Sequence, residues 1–205
     1  MELKLKPHQI SAIRKMHNGC ILCGGTGSGK SITGLAYYFI QNGGTIEPMT
    51  KMKNPKDLYI ITTAKKRDSG EWIGDMSWFY LTPDDKTKIY DHKVVIDSWN
   101  NIKKYASVQN SFFIFDEQRV VGYGAWTKAF LKIAKYNDWI LLSATPGDNY
   151  MDYMPVFIAN GFYKNKSEFT AEHCVYSRFS KFPQIERFIG TERLNRLRRR
   201  VLVDM

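Results

Sequence analysis

Short apolar runs recur along this chain, with stretches of helical spacing between them, and that alternation restricts the fold more than any other feature. The runs lie at residues 19–23, 58–62, 93–97, 111–115 and 139–142. They are continuously apolar rather than alternating, as strands buried on both faces are. The segments 30–41, 69–80, 99–105 and 125–134 read as helices, and residues 6–16 precede the first strand with Ile10, Ile13 and Met16 as a buried stripe. Strand and helix in alternation predict an α/β fold, a mostly parallel sheet with helices on both faces and right-handed crossovers. In such sheets ligands bind beyond the carboxyl ends of the strands, so the residues just after each run carry the most information. Residues 45–57, with Pro48 and Pro55, read as a loop or exposed hairpin.

The first run leads into Gly24-Gly25-Thr26-Gly27-Ser28-Gly29-Lys30-Ser31, which fits G-x-x-x-x-G-K-[ST] between a strand and a helix. Glycines let backbone N–H groups turn inward around phosphate oxygens, and the helix N-terminus adds partial positive charge. Lys30 is expected on the β- and γ-phosphates of ATP and the Ser31 hydroxyl on Mg²⁺. Gly25, Thr26, Gly27, Ser28 and Gly29 form the cradle. The run Phe112-Phe113-Ile114-Phe115 ends in Asp116-Glu117. A buried strand seldom ends in two carboxylates without a cation to hold. Asp116 suits Mg²⁺, and Glu117 is placed to orient or deprotonate the attacking water. After the last strand, Ser143 and Thr145 of Ser143-Ala144-Thr145-Pro146 are candidates to bond the carboxylates and sense the γ-phosphate.

These motifs in this order resemble superfamily 2 helicases and translocases, and SWI/SNF-like DNA translocases among them, especially the small helicases of bacteriophages. Asp116-Glu117-Gln118-Arg119 stands at the position of the DEAD- or DEAH-type box. The resemblance implies a P-loop NTPase fold, specifically a RecA-like lobe over residues 1–160. Residues 161–205 are then a basic C-terminal extension or the start of a linker to a second lobe. It further implies that Gln9, in Leu5-Lys6-Pro7-His8-Gln9, recognises adenine. Thr62-Thr63-Ala64-Lys65-Lys66 and Val95-Ile96-Asp97-Ser98-Trp99 match DNA-backbone motifs, with Lys65, Lys66 and Ser98 as the contacts. The implied activity is ATP hydrolysis to ADP and phosphate, coupled to DNA that is double-stranded by the SWI/SNF-like likeness. The family's motors close a second RecA-like lobe, bearing an arginine finger, over the nucleotide. No QxxGRxxR-type motif is present in these 205 residues, and the arginine cluster near 193–200 lacks that spacing. The chain is therefore expected to be a first lobe, binding ATP and Mg²⁺ but turning ATP over feebly alone.

Charge and composition agree with this reading. The net charge of +10 favours an acidic partner, for which nucleic acid is the commonest. Cys20, Cys23 and Cys174 are too few and too uneven for a disulfide framework, and no second pair accompanies the Cys20–Cys23 spacing to hold zinc. No apolar run has membrane-spanning length, and the expected location is the cytoplasm, the host's if the chain is phage-encoded. Two other readings stand beside the motor lobe. One is a complete non-motor module that binds ATP and DNA or docks on a partner. The other is a P-loop phosphotransferase, against which Glu117 beside Asp116 and the Ser143–Pro146 motif argue.

Overall fold

A computed structural model describes residues 3–83, 89–117, 120, 123–179 and 182–205. Ten strands are described: β1 (Ile21–Cys23), β2 (Thr45–Ile46), β3 (Met49–Thr50), β4 (Leu58–Thr62), β5 (Val94–Ser98), β6 (Phe112–Asp116), β7 (Asp138–Ser143), β8 (Cys174–Tyr176), β9 (Ile185–Phe188) and β10 (Leu202–Asp204). The helices are α1 (Pro7–Lys15), α2 (Lys30–Gln41), α3 (Ala64–Asp68), α4 (Glu71–Ser77), α5 (Ala125–Ala134), α6 (Tyr150–Ala159), α7 (Lys166–His173) and α8 (Thr191–Val201), with a 3-10 helix at Trp99–Tyr105.

Six strands form one sheet in the order β10-β1-β7-β6-β4-β5. Every pairing within it is parallel. This is the α/β architecture of a P-loop NTPase. The pleat sends successive side chains to opposite faces. Leu22, Ile60, Phe112, Ile114, Ile140 and Leu142 pack on one face, under α1, α2 and α4. Ile21, Tyr59, Ile61, Phe113, Phe115, Trp139 and Leu141 pack on the other, under α5, α6 and α8. Two buried layers explain why these strands read as unbroken apolar runs.

Three segments differ from the sequence reading, the first being α6, a core helix where no element was read. The helix expected at 69–80 is split: α3 ends before Gly70, whose φ of 72° is left-handed, and α4 begins at Glu71. The region after 160 is not merely appended. β10 pairs with β1, Ile21 opposite Leu202, and gives the sheet an edge strand beyond those expected. α8 delivers it there by burying Leu194 and Val201 fully. The arginines of α8 help seat the helix. Arg198 lies over the Tyr153 ring at 5.4 Å and Arg200 over Phe162 at 5.0 Å. Arg193 bonds Glu172 at 2.8 Å. The expected hairpin is formed by β2 and β3.

Candidate active site

Register brings the chemistry together. Cys23, the last residue before the phosphate loop, lies opposite Ser143. Asp116 lies opposite Leu142, and Ile61 opposite Phe115, which sets Thr62 beside Asp116. The result is a cleft of about 340 Å³ at the carboxyl ends of the strands, lined by Thr26, Gly27, Gly29, Lys30, Ser31, Lys66, Trp72, Asp116, Glu117 and Ser143 among others.

The loop turns on two left-handed glycines. Gly27 and Gly29 hold φ of 76° and 86°, in the left-handed region that favours glycine. A Cβ on Gly25 or Gly27 would meet no atom within 4 Å. Lys30 curls back, its Nζ donating to the carbonyls of Gly24 at 2.7 Å and Gly25 at 2.9 Å. The Ser28 hydroxyl is buried and finds no partner among the described residues. Burial lowers the pKa of Lys30; Asp116 works against that fall and the charge of Lys66 adds to it.

Asp116 is buried, at 2% exposure. Its Oδ2 accepts the Thr62 hydroxyl at 2.8 Å and the Lys66 ammonium at 2.7 Å. Its carbonyl accepts the Trp99 indole N–H at 2.9 Å. Glu117 follows with φ of 54°. A left-handed non-glycine residue is uncommon and costs energy, and such strain concentrates at functional sites. Its side chain lines the cleft.

Ser31 and Asp116 share this cleft, and among the described residues no cluster of three or more His, Cys, Asp or Glu is arranged to hold a metal. That donor set fits Mg²⁺, which is usually bound through one or two protein oxygens plus substrate phosphates. The unpartnered Ser28 hydroxyl fits a nucleotide phosphate in the same way.

The remaining expected site residues separate into groups. Gln9 is 5% exposed, so it is no solvated helix-start residue. Its Oε1 accepts the Lys6 N–H at 2.8 Å and its Nε2 donates to the Gly29 carbonyl at 3.4 Å, which ties α1 to the phosphate loop. Ser143 is buried at the cleft and its Oγ accepts the Thr145 N–H at 3.1 Å; Thr145 itself is exposed and does not line the cleft. Lys65 is exposed. Lys66 is half-buried, and its ammonium points into the cleft and onto Asp116. Ser98, the last residue of β5, is buried at 3% exposure. Gln118 and Arg119 lie outside the described residues.

Sequence reasoning missed three contributors. Thr62 holds Asp116, and its position as the last residue of an apolar strand was the available signal. Trp72 lines the cleft at 1% exposure rather than serving only the core. Asp97 accepts bonds from Asn101 at 2.8 Å, Tyr105 at 2.6 Å, the Ser98 N–H at 2.7 Å and Arg67 at 3.3 Å, which anchors α3 to β5. Burial pushes the Asp97 carboxyl up, but these bonds together outweigh it and hold it below its ordinary value. The Cys20–Cys23 spacing is structural: both thiols are free, and Cys20 is fully buried. No helix among the described residues is long and apolar enough to cross a membrane.

The fold is the α/β architecture of P-loop NTPases, a mostly parallel sheet with helices on both faces. No family model and no curated protein sequence matches the chain. Solved structures do. The chain is similar to the SWI2/SNF2 ATPase core of Sulfolobus solfataricus in complex with dsDNA, at TM-score 0.68 and 16% identity, over 100% of this chain and 45% of that one. It is similar also to the Hef helicase domain of Pyrococcus furiosus, at TM-score 0.50 and 17% identity, over 83% of this chain and 40% of that one. The chain thus spans less than half the length of either structure, and at these identities the likeness is one of fold.

Proposed function

We propose that this chain is the ATP-binding lobe of a DNA-dependent ATPase motor of the helicase or duplex-translocase type. The observation that carries the proposal is the convergence of Lys30, Ser31, Asp116, Glu117 and Ser143 on one cleft at the strand ends. In this reading Lys30 leaves the loop carbonyls and binds phosphate oxygens, while the loop N–H groups hold the rest of the triphosphate. Ser31 and Asp116 hold Mg²⁺, which would neutralise phosphate charge when bound. Glu117 orients the attacking water and accepts its proton. Ser143, hydrogen-bonded to the chain that follows it, passes the state of the site onward, and Thr145 acts through that same turn. Gln9 reads adenine from behind the loop. Lys65 meets the DNA backbone as a phosphate contact.

The two matched structures are each more than twice as long as the matched region, which supports a second lobe as the partner that completes the site. An arginine finger from such a lobe is worth about 10³ to 10⁵ in rate. The test is ATP binding and DNA-stimulated hydrolysis, measured for these 205 residues and for a longer protein carrying a second lobe. The short chain should bind ATP with Mg²⁺, lose binding on Lys30→Ala, and turn over feebly. The longer protein should hydrolyse ATP when DNA is added, and Glu117→Gln should hold ATP without turning it over. DNA binding should fall steeply with added salt, because it rests on phosphate contacts. Fast turnover by the short chain would remove the second lobe from the proposal. Absence of ATP binding would overturn it entirely.

A further inference from the structure

Lys66 is the one lysine of its segment that turns inward. Thr63 caps α3, its hydroxyl accepting the Lys66 N–H at 3.3 Å. Successive helical residues point about 100° apart. Lys65 is therefore left exposed while Lys66 enters the cleft. Arg67, next in line, is tied to Asp97 at 3.3 Å, and this fixes the phase of the short helix. Inside, the Lys66 ammonium is 2.7 Å from Asp116 Oδ2 and 5.6 Å from the centre of the Trp72 ring. Asp116 Oδ2 is the oxygen that Thr62 also holds.

Charge makes this contact consequential. Lys30 and Lys66 line the cleft together with four carboxylates, those of Glu71, Asp75, Asp116 and Glu117. A divalent ion entering alone would find the Asp116 carboxylate already paired with the Lys66 ammonium and would have to displace it. A divalent ion arriving with a nucleotide brings compensating negative charge. Like-charge repulsion at a few ångströms in a partly buried cleft is large enough to separate those cases.

Resting on the reading of Ser31 and Asp116 as the metal-holding pair, we propose that Lys66 is a resident counter-ion of Asp116 that competes with the metal, so that its ammonium must leave for metal and nucleotide to bind together. Lys66 thereby blocks metal binding in the nucleotide-free site. It is a positioning residue for Asp116 and not a phosphate ligand.

The test uses Mn²⁺ in place of Mg²⁺, with free Mn²⁺ read by electron paramagnetic resonance in the presence of ADP. Wild type, Lys66→Met, Lys66→Gln and Lys66→Arg are compared, each checked for folding by thermal melt. Removing the charge should tighten Mn²⁺ binding about three- to tenfold in Lys66→Met and Lys66→Gln, whereas Lys66→Arg should stay within about twofold of wild type. Unchanged or weaker Mn²⁺ binding in a folded neutral variant overturns the proposal, and weaker binding would make Lys66 a phosphate ligand instead. Wild type supplies an independent readout. Adding Mg²⁺ to the ADP-saturated chain should change tryptophan emission as the ammonium leaves Trp72, and Trp72→Phe should abolish that change. No change in wild type also counts against the proposal. If wild type and neutral variants alike bind neither Mn²⁺ nor ADP, the nucleotide-site reading fails and takes this inference with it. If wild type binds both and only the Lys66 effect is missing, the nucleotide-site reading survives.

Discussion

Replacing Thr62 by valine isolates the bond that holds Asp116. Thr62 is fully buried, and its Oγ1 donates to Asp116 Oδ2 at 2.8 Å. Valine matches threonine in size and suits a strand, so packing of β4 should persist. A hydrogen bond to a charged group contributes about 1.5–3 kcal/mol. The lower end applies here, because Lys66 remains 2.7 Å from the same oxygen and the carboxylate is not left unpaired. The expected loss is thus about 1.5 kcal/mol, or a fall in melting temperature of about 3–6 °C for a chain of this length. Urea melts of wild type, Thr62→Val, Asp116→Ala and the double variant form a cycle that cancels the methyl and strand-propensity contributions. The coupling between the two sites should be about 1–2 kcal/mol. A coupling below about 0.5 kcal/mol would refute the reasoning, since Thr62 would then not be restraining the carboxylate.

Other consequences follow from neighbouring features. Gly29 has φ of 86°, and a Cβ there would lie 2.6 Å from Gln9 Nε2. Gly29→Ala should cost about 1–2 kcal/mol in a urea melt from the left-handed backbone, and Gln9→Ala in the same chain should relieve the clash without restoring that loss. Asp97→Asn should destabilise the chain by about 1–2 kcal/mol at neutral pH. Because the folded-state pKa of Asp97 lies below its ordinary value, its stabilisation is complete above the unfolded pKa of about 4 and is lost as pH falls through the folded one. The gap between wild type and Asp97→Asn should therefore close in acid, and a gap independent of pH would contradict the assignment. Burial pushes the Cys20 thiol up to about 11, although hydrogen bonding by backbone at His17 and Cys20 works the other way. Mass-spectrometric alkylation near neutral pH should leave Cys20 unmodified in the folded chain, and rapid labelling would show that β1 opens.

Much of this molecule is legible without coordinates, because its signals are local. α2 and α5 begin and end where apolar spacing and the glycine punctuation around them say they should. β4 coincides with its apolar run. The phosphate loop and the Asp116-Glu117 pair identify themselves, since their chemistry requires those residue types in consecutive positions. Parallel pairing follows from strand–helix alternation alone. What stayed hidden depends on phase and on distance along the chain. Whether Lys65 or Lys66 enters the cleft is set by the rotation of a five-residue helix, and its anchor is Asp97, which lies thirty residues beyond Arg67. Ser98 is buried because β5 pairs with β4 in a register that the sequence around Ser98 does not encode. β10 joins β1 from the far end of the chain, a pairing that no local pattern announces. The glycine loop and its lysine are legible in the sequence as a strand-to-helix junction of the G-x-x-x-x-G-K-[ST] form. Tertiary packing added that Lys30 bonds the loop's carbonyls and Lys66 bonds Asp116, because buried polar groups are held by internal partners.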